Sequence, residues 1–110
     1  MNQASESTPL GEDQLRSALV KESGWELRDG VLVRELTMRD FEHALRLLED
    51  LARCAIDFGR RPDMCISEFN HVRLSISNPH HAGFTAAELR LAAKVNAILD
   101  DHGAADLPSR

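Results

Sequence analysis

Residues 25–36 read WELRDGVLVREL and carry the clearest local signal of secondary structure in the chain. Its first four residues alternate between apolar and polar, its centre is Asp29-Gly30, and its second half is rich in valine and leucine. An Asp-Gly pair favours the type I′ turn that joins two strands tightly, and the flanking patterns are those of strands. The sequence therefore predicts a β-hairpin, and the segments on either side of it read as helices.

Apolar residues recur at helical spacing before and after the hairpin. From about Gly11 to Lys21 they predict a short amphipathic helix. After the hairpin, Thr37 is expected to cap a longer helix, with Asp40 near its positive end, and this helix ends at Gly59. Its predicted stripe consists of Phe41, Ala44, Leu45, Leu48, Leu51, Ala52, Ala55 and Phe58. The apolar residues beside the stripe, Leu47, Cys54 and Ile56, are expected in the core, with a second helix-packing surface used in dimerisation as the alternative.

A second pair of strands is predicted in the next part of the chain, at residues 63–69 and 72–77. Asn70 tolerates the left-handed backbone of a tight connection between them. Thr85 and Glu88 then form a capping-box pattern that opens a last helix. The order α-β-β-α-β-β-α predicts an α+β fold, a four-stranded antiparallel sheet with helices packed on one face.

The bulk properties indicate one domain of 110 residues. We expect a disordered N-terminal tail at 1–10, the folded domain at 11–102 and a disordered C-terminal tail at 103–110. The N-terminus has neither the basic region nor the apolar stretch of a secretory signal, and no segment has the roughly 18 apolar residues that a membrane helix needs, so a cytoplasmic location is expected. The net charge of −5 gives no general attraction to nucleic acid or membrane. Cys54 and Cys65 are expected to be buried free thiols.

From Gly24 to about Leu99 the chain resembles the pterin-4a-carbinolamine dehydratases, enzymes that dehydrate a hydroxylated pterin. The resemblance is carried by Gly24-Trp25-Glu26-Leu27, Asp29-Gly30, Arg34-Glu35-Leu36, Phe41, Arg60-Arg61-Pro62-Asp63, Asn70-His71-Val72, Gly83-Phe84-Thr85, Glu88 and Leu91-Ala92. It implies the α+β fold derived above, a homodimer formed through a sheet edge, and a pterin pocket. No metal or other cofactor is expected.

The same resemblance locates the family's acid-base residues, and most of them are replaced. Arg60 and Arg61 fall on the two histidines of the family's His-His-Pro motif, Asn78-Pro79 falls on its Thr-His, and Glu88 falls on its aspartate. The reaction delivers one proton to the departing hydroxyl and removes another from a ring nitrogen, which histidine does well near neutral pH. Arginine presents only donors. The substitutions therefore predict the fold without the activity.

The predicted site combines three segments: residues 60–63, the loop 78–83 and the start of the last helix. It would hold Arg60, Arg61 and His80 or His81, with Glu88 at the rim. Either histidine could replace the missing loop histidine, although an exposed, idle pair is the simpler interpretation. Glu88 is explained by its capping box. The two arginines are either solvated charges at a helix end or a fork that grips a carboxylate or phosphate of another molecule.

A dehydratase scaffold without its histidines resembles one branch of the family, the Rubisco assembly factors associated with α-carboxysomes. The resemblance implies a non-catalytic homodimer that assists Rubisco subunits, cytoplasmic or carboxysome-associated, with no nucleic acid or membrane partner. The alternatives are a divergent active dehydratase that uses His80, His81 or Glu88, and a dimerisation cofactor of a transcription regulator.

Overall fold

The computed structural model describes residues 9–22, 24–77 and 84–106. Three helices and five strands follow one another in this part of the chain: α1 (Glu12–Lys21), β1 (Glu26–Arg28), β2 (Val31–Thr37), α2 (Phe41–Phe58), β3 (Asp63–Ser67), β4 (His71–Ile76), α3 (Ala86–Asp101) and β5 (Ala105–Asp106). Four strands form an antiparallel sheet in the order β1-β2-β4-β3. The α+β fold predicted from the sequence is confirmed.

The hairpin of β1 and β2 turns where the sequence predicted. Asp29 and Gly30 have φ angles of 49° and 77°, the left-handed values that a type I′ turn needs at both central positions. The register pairs Arg28 with Val31 and Leu27 with Leu32. This turn chemistry is local, which is why the sequence reveals it.

The core lies between one face of the sheet and the helices. Alternate residues of β2 and β4 enter it, and the helices contribute a stripe each: Leu32, Leu36, Val72, Leu74 and Ile76 from the strands, Ala44, Leu47 and Leu51 from α2, and Leu91, Ala92, Val95 and Leu99 from α3. The helical stripe of α2 is narrower than predicted. Phe41, Leu45 and Ile56 are exposed, so the expectation that Ile56 belongs to the core is wrong.

The start of α2 differs from the prediction. Thr37 belongs to β2, where it pairs with His71, and it does not cap the helix. The N-cap is Asp40, whose side chain accepts a hydrogen bond of 2.8 Å from the backbone N–H of His43. Pairing with β4 extends β2 through Thr37, and the cap moves to the next residue able to fill it.

The connection between β3 and β4 also differs. Glu68 and Phe69, not Asn70, have positive φ angles, of 48° and 58°. The side-chain amide of Asn70 instead donates to the carbonyl of Met38 at 2.9 Å. The backbone carbonyl of Asn70 accepts from the backbone N–H of Met38 at 2.8 Å. Asn70 therefore fastens this hairpin to the segment that enters α2.

Two predictions differ from the structure, one for the C-terminal tail and one for the burial of Cys65. Residues 105 and 106 belong to the predicted C-terminal tail, 103–110, yet they form β5, which pairs with Leu36 and Thr37 of β2. Cys65 is exposed because it lies on the outward face of the edge strand β3, whereas Cys54 is half-buried. Residues 1–8 and 107–110 of the predicted tails lie outside the described residues.

A polar cluster joins the entry of β1 to α3. The amide oxygen of Asn96 accepts from Nε1 of Trp25 at 2.9 Å and from Nη1 of Arg34. Its amide nitrogen donates to Glu22 at 3.3 Å. Gly24 lies against the Arg34 guanidinium, where an added Cβ would come within 2.5 Å of Cζ. The left-handed backbone at position 24, with φ of +97°, and the closeness of Arg34 both favour glycine there, and the cluster joins α3 to the sheet.

Candidate functional site

The N-terminus of α3 supplies a buried carboxylate. Thr85 is the N-cap of α3. Oε1 of Glu88 accepts two hydrogen bonds from Thr85, one from its backbone N–H and one from its hydroxyl, each at 2.6 Å. The hydroxyl oxygen of Thr85 accepts in turn from the backbone N–H of Ala87 at 3.3 Å. The predicted capping box is confirmed. The prediction that Glu88 lies at the rim is wrong, because its side chain is only 1% exposed.

The loop that follows α2 supplies the opposite charge. Gly59 ends the helix in the left-handed conformation, with φ of 89°, and turns the chain so that Arg60 faces the start of α3. Nη1 of Arg60 lies 2.7 Å from Oε2 of Glu88, and the Arg60 side chain is 42% exposed. Two segments 28 residues apart therefore converge, as predicted, and they meet through an ion pair.

The neighbours of Arg60 have different environments. Arg61 is exposed, and within residues 9–22, 24–77 and 84–106 no hydrogen bond or ion pair joins it to another side chain. Pro62 is buried, and the chain enters β3 at Asp63. Both arginines are therefore exposed, and they differ in that Arg60 is paired with Glu88.

The third predicted segment is the loop 78–83. Asn78-Pro79 and the histidines His80 and His81 lie outside the described residues. The geometry of the site is therefore that of Arg60, Thr85 and Glu88, with Arg61 beside it.

Sequence reasoning missed three contributors to this region. Thr85 was recognised as a cap, but not as a hydroxyl donor to Glu88. Arg90 and Lys94 were not singled out at all, although both lie over the ring of Phe58, two residues before Arg60. Their spacing of four residues on a predicted helix was the available signal, because such residues share one helical face.

The fold and the site together define a class of protein. It has an antiparallel sheet covered on one face by helices, and its candidate site lies where the loop after α2 meets the start of α3. The family model described as Pterin 4 alpha carbinolamine dehydratase matches residues 8–98. The chain belongs to this family.

Relatives and solved structures agree with this assignment. One relative is a protein of Solibacter usitatus that is provisionally named a pterin-4-alpha-carbinolamine dehydratase. It is 30% identical to this chain over 92 residues, which are 84% of this chain and 96% of the relative. One of Trichormus variabilis with the same provisional name is 29% identical over 89 residues, 81% of this chain and 95% of the relative.

Two solved structures share the fold. The transcriptional coactivator/pterin dehydratase of Brucella melitensis superposes with a TM-score of 0.76 at 25% identity, covering 83% of this chain and 98% of that one. A pterin dehydratase-like protein described as a RuBisCO assembly factor in the α-carboxysome superposes with a TM-score of 0.58 at 19% identity, covering 69% of this chain and 89% of that one. The second likeness concerns the fold alone.

Within the described residues, no helix is both long enough and apolar enough to cross a membrane.

Proposed function

We propose that this chain is a non-catalytic member of the pterin-4a-carbinolamine dehydratase family, a binding protein built on the enzyme's scaffold. The observation that supports the proposal is the ion pair between Arg60 and Glu88. On the resemblance described above, these two residues stand where the family has a histidine and an aspartate. A guanidinium has no lone pair with which to accept a proton, and its charge is neutralised here by a carboxylate that already accepts two hydrogen bonds from Thr85.

Proton transfer needs a group that can gain and lose a proton within reach of the substrate. Arg60 supplies donors only, and Glu88 is nearly inaccessible behind it. Together they make a fixed, neutral pair in place of an acid and a base. The proposal predicts no dehydration of a pterin 4a-carbinolamine above the uncatalysed rate, with an active dehydratase that has the His-His-Pro motif as the positive control.

The partner proposed for such a binding protein is Rubisco, as a homodimeric assembly factor. The structural likeness to the RuBisCO assembly factor supports a shared fold and does not identify the partner of this chain. The test is co-expression of Rubisco large and small subunits with and without this chain, reading the yield of assembled holoenzyme on a native gel. Arg61→Ala is the cleaner variant for this test, because substituting Arg60 also breaks the ion pair with Glu88. An unchanged yield with the wild-type chain would contradict the Rubisco role.

An active dehydratase is the second candidate, and the comparisons favour it. The relatives bear the dehydratase name, and the Brucella structure, at 25% identity, is called a pterin dehydratase. Catalysis would then use His80, His81 or Glu88, and the two histidines are the groups among these that titrate near neutral pH by type. Turnover by the wild-type chain that is abolished in His80→Ala/His81→Ala would establish this candidate and overturn the non-catalytic proposal.

A further inference from the structure

Helix α2 has apolar side chains on two of its sides, and one of these sides faces the sheet. Ala44 and Leu51 lie on that side, in the core. Among the described residues, six large apolar side chains are exposed, and three of the six belong to α2: Phe41 at 50%, Leu45 at 44% and Ile56 at 78%. The helix therefore presents a second apolar surface, which the described residues leave exposed.

This second surface is one straight stripe along the helix. Phe41, Leu45, Leu48, Ala52 and Ile56 follow one another at intervals of three or four residues, so they lie within about 80° of one another around the helix axis. Leu48 and Ala52 are half-buried, and the other three are exposed. The centre of the stripe lies about 100° from that of the core-facing side, and the stripe is about 22 Å long. We call these five residues the α2 stripe.

The charges along the other side of the stripe alternate in sign. Glu42, Arg46, Glu49 and Arg53 are all exposed and lie on the flank of α2 that points away from the core. Glu42 and Arg46 pair within the helix at 2.7 Å. The remaining titratable residues of α2 lie on the side opposite the stripe: His43, bonded to Asp40, Asp50, bonded to His102, and the exposed Asp57. The flank beside the stripe therefore reads acid, base, acid, base.

The stripe is self-complementary when two copies of α2 run antiparallel. With a two-fold axis at the middle of the helix, next to Leu48, Phe41 meets Ile56 of the second copy, and Leu45 meets Ala52 of the second copy. Each contact occurs twice, because a two-fold axis repeats it. Large side chains then face small or slender ones along the whole length of the stripe.

The flanking charges select the same orientation. In an antiparallel pair the same flank of both helices meets, so Glu42 lies opposite Arg53 of the second copy, and Arg46 lies opposite Glu49 of the second copy. Every one of these facing pairs joins opposite charges. A parallel pair would instead direct the charged flank of each copy toward the core-facing side of the other. The charge pattern therefore favours the antiparallel pair.

We propose that α2 associates with α2 of a second copy of this chain as an antiparallel pair, with the two α2 stripes in contact. The stripe is about 22 Å long and one helix wide, which is smaller than the roughly 800 Å² per partner of a standard interface, so the expected dissociation constant is micromolar. The sheet-edge homodimer that the family resemblance implies uses another surface. The proposal goes beyond the proposed function, because it holds whether or not the chain is catalytic.

The first test is sedimentation velocity of the full chain from about 1 μM to about 300 μM, a range that brackets a micromolar dissociation constant. Ile56→Asp should raise this constant at least about tenfold. Val20→Asp is the matched control, because Val20 of α1 is 80% exposed and the change in charge is the same. Equal effects of the two variants, or a wild-type chain that stays monomeric throughout, would overturn the proposal.

A charge-reversal test examines the flank. Arg46→Glu/Arg53→Glu and Glu42→Arg/Glu49→Arg should each lose self-association, because like charges then face each other, and a mixture of the two should associate again. Both variants stay negative overall, since the substitutions change the net charge of −5 by −4 and +4, so bulk charge does not attract them. All four positions are exposed, so this test also serves if Ile56→Asp fails to fold. A mixture that stays monomeric would overturn the antiparallel pair.

A disulfide test separates this pair from one formed through the sheet edge. In a Cys54→Ser/Cys65→Ser background, Leu45→Cys combined with Ala52→Cys should give a covalent dimer with oxidised glutathione, because the two positions face each other across the pair. Within one helix they are about 10 Å apart, too far for a disulfide. Equal cross-linking by Leu45→Cys alone, or association without any cross-link, would overturn the proposal. Dehydratase turnover measured on the same preparations reports on the proposed function separately.

Discussion

Breaking the Arg60–Glu88 ion pair should destabilise the protein more than the surface position of Arg60 suggests. The charged atoms are 2.7 Å apart, which at an effective dielectric constant of about 20 gives an attraction of about 6 kcal/mol before desolvation. Removing the carboxylate from water offsets much of this, and Arg60 is 42% exposed, which screens it further. For Arg60→Ala we therefore expect a loss of about 1–3 kcal/mol in the free energy of unfolding, because a buried carboxylate loses its counter-ion.

A double-mutant cycle isolates the pair. Glu88→Gln keeps the shape of the side chain and its ability to accept from Thr85, but removes the charge. In that background Arg60→Ala should cost less, so that the coupling free energy is about 1–2 kcal/mol. The assay is urea unfolding, with one slope fitted to all variants. Arg61→Ala is the control and should change stability by less than about 0.5 kcal/mol, since Arg61 is exposed. If Arg60→Ala and Arg61→Ala have equal, small effects, or if the effects of Arg60→Ala and Glu88→Gln are strictly additive, the ion pair does not stabilise the protein.

Two further predictions concern glycine 24 and the cap of α2. Gly24→Ala should lower the free energy of unfolding by about 2–4 kcal/mol, measured in urea, because φ is +97° and the new Cβ would lie 2.5 Å from Cζ of the buried Arg34. Gly30→Ala is the control and should cost less, because Gly30 has a φ of +77° but open space around it. Equal losses in the two variants would contradict a clash with Arg34. At Asp40, hydrogen bonds from the backbone N–H and then the side chain of His43 hold the pKa of the carboxyl below its usual value. The Asp40 carboxylate therefore stabilises the folded protein above its pKa in the unfolded chain, which is about 3.9. This stabilisation is lost as the pH falls through the lower pKa that Asp40 has in the folded protein. The thermal midpoint of Asp40→Ala should therefore lie below that of the wild type at neutral pH and approach it in acid; a gap that does not narrow would contradict this.

The features that the sequence predicted well are determined locally. The Asp29-Gly30 turn needs only residues that tolerate positive φ, and the capping box of α3 needs only Thr85 and Glu88 at the right spacing. The periodicity of the helices and strands gave the element order in the same way. None of these depends on what lies across the molecule.

The mistakes came from tertiary contacts that the local pattern does not contain. Thr37 is a good N-cap by type, but pairing with His71 draws it into β2. Asn70 is suited to a left-handed turn, but its hydrogen bonds to Met38 give it another role. The burial of Glu88 follows from the meeting of two distant segments. The sequence predicts that these segments meet, but it does not predict that Glu88 becomes buried between them.

The family resemblance placed Arg60 and Glu88 in the same pocket and left their relation open. Opposite charges on converging segments were the available signal for an ion pair, and the structure places them 2.7 Å apart. That single contact changes the interpretation of Arg60 from a free fork to a paired structural residue, although both Arg60 and Arg61 are exposed.

Dehydration of a pterin 4a-carbinolamine by the purified chain, measured beside an active dehydratase that retains the His-His-Pro motif, tests whether this chain has lost catalysis. If the ion pair of Arg60 and Glu88 has replaced the proton-transfer groups, the rate with the wild-type chain equals the uncatalysed rate. Enzyme-like turnover that disappears in His80→Ala/His81→Ala would contradict the account and make this chain a dehydratase with relocated histidines.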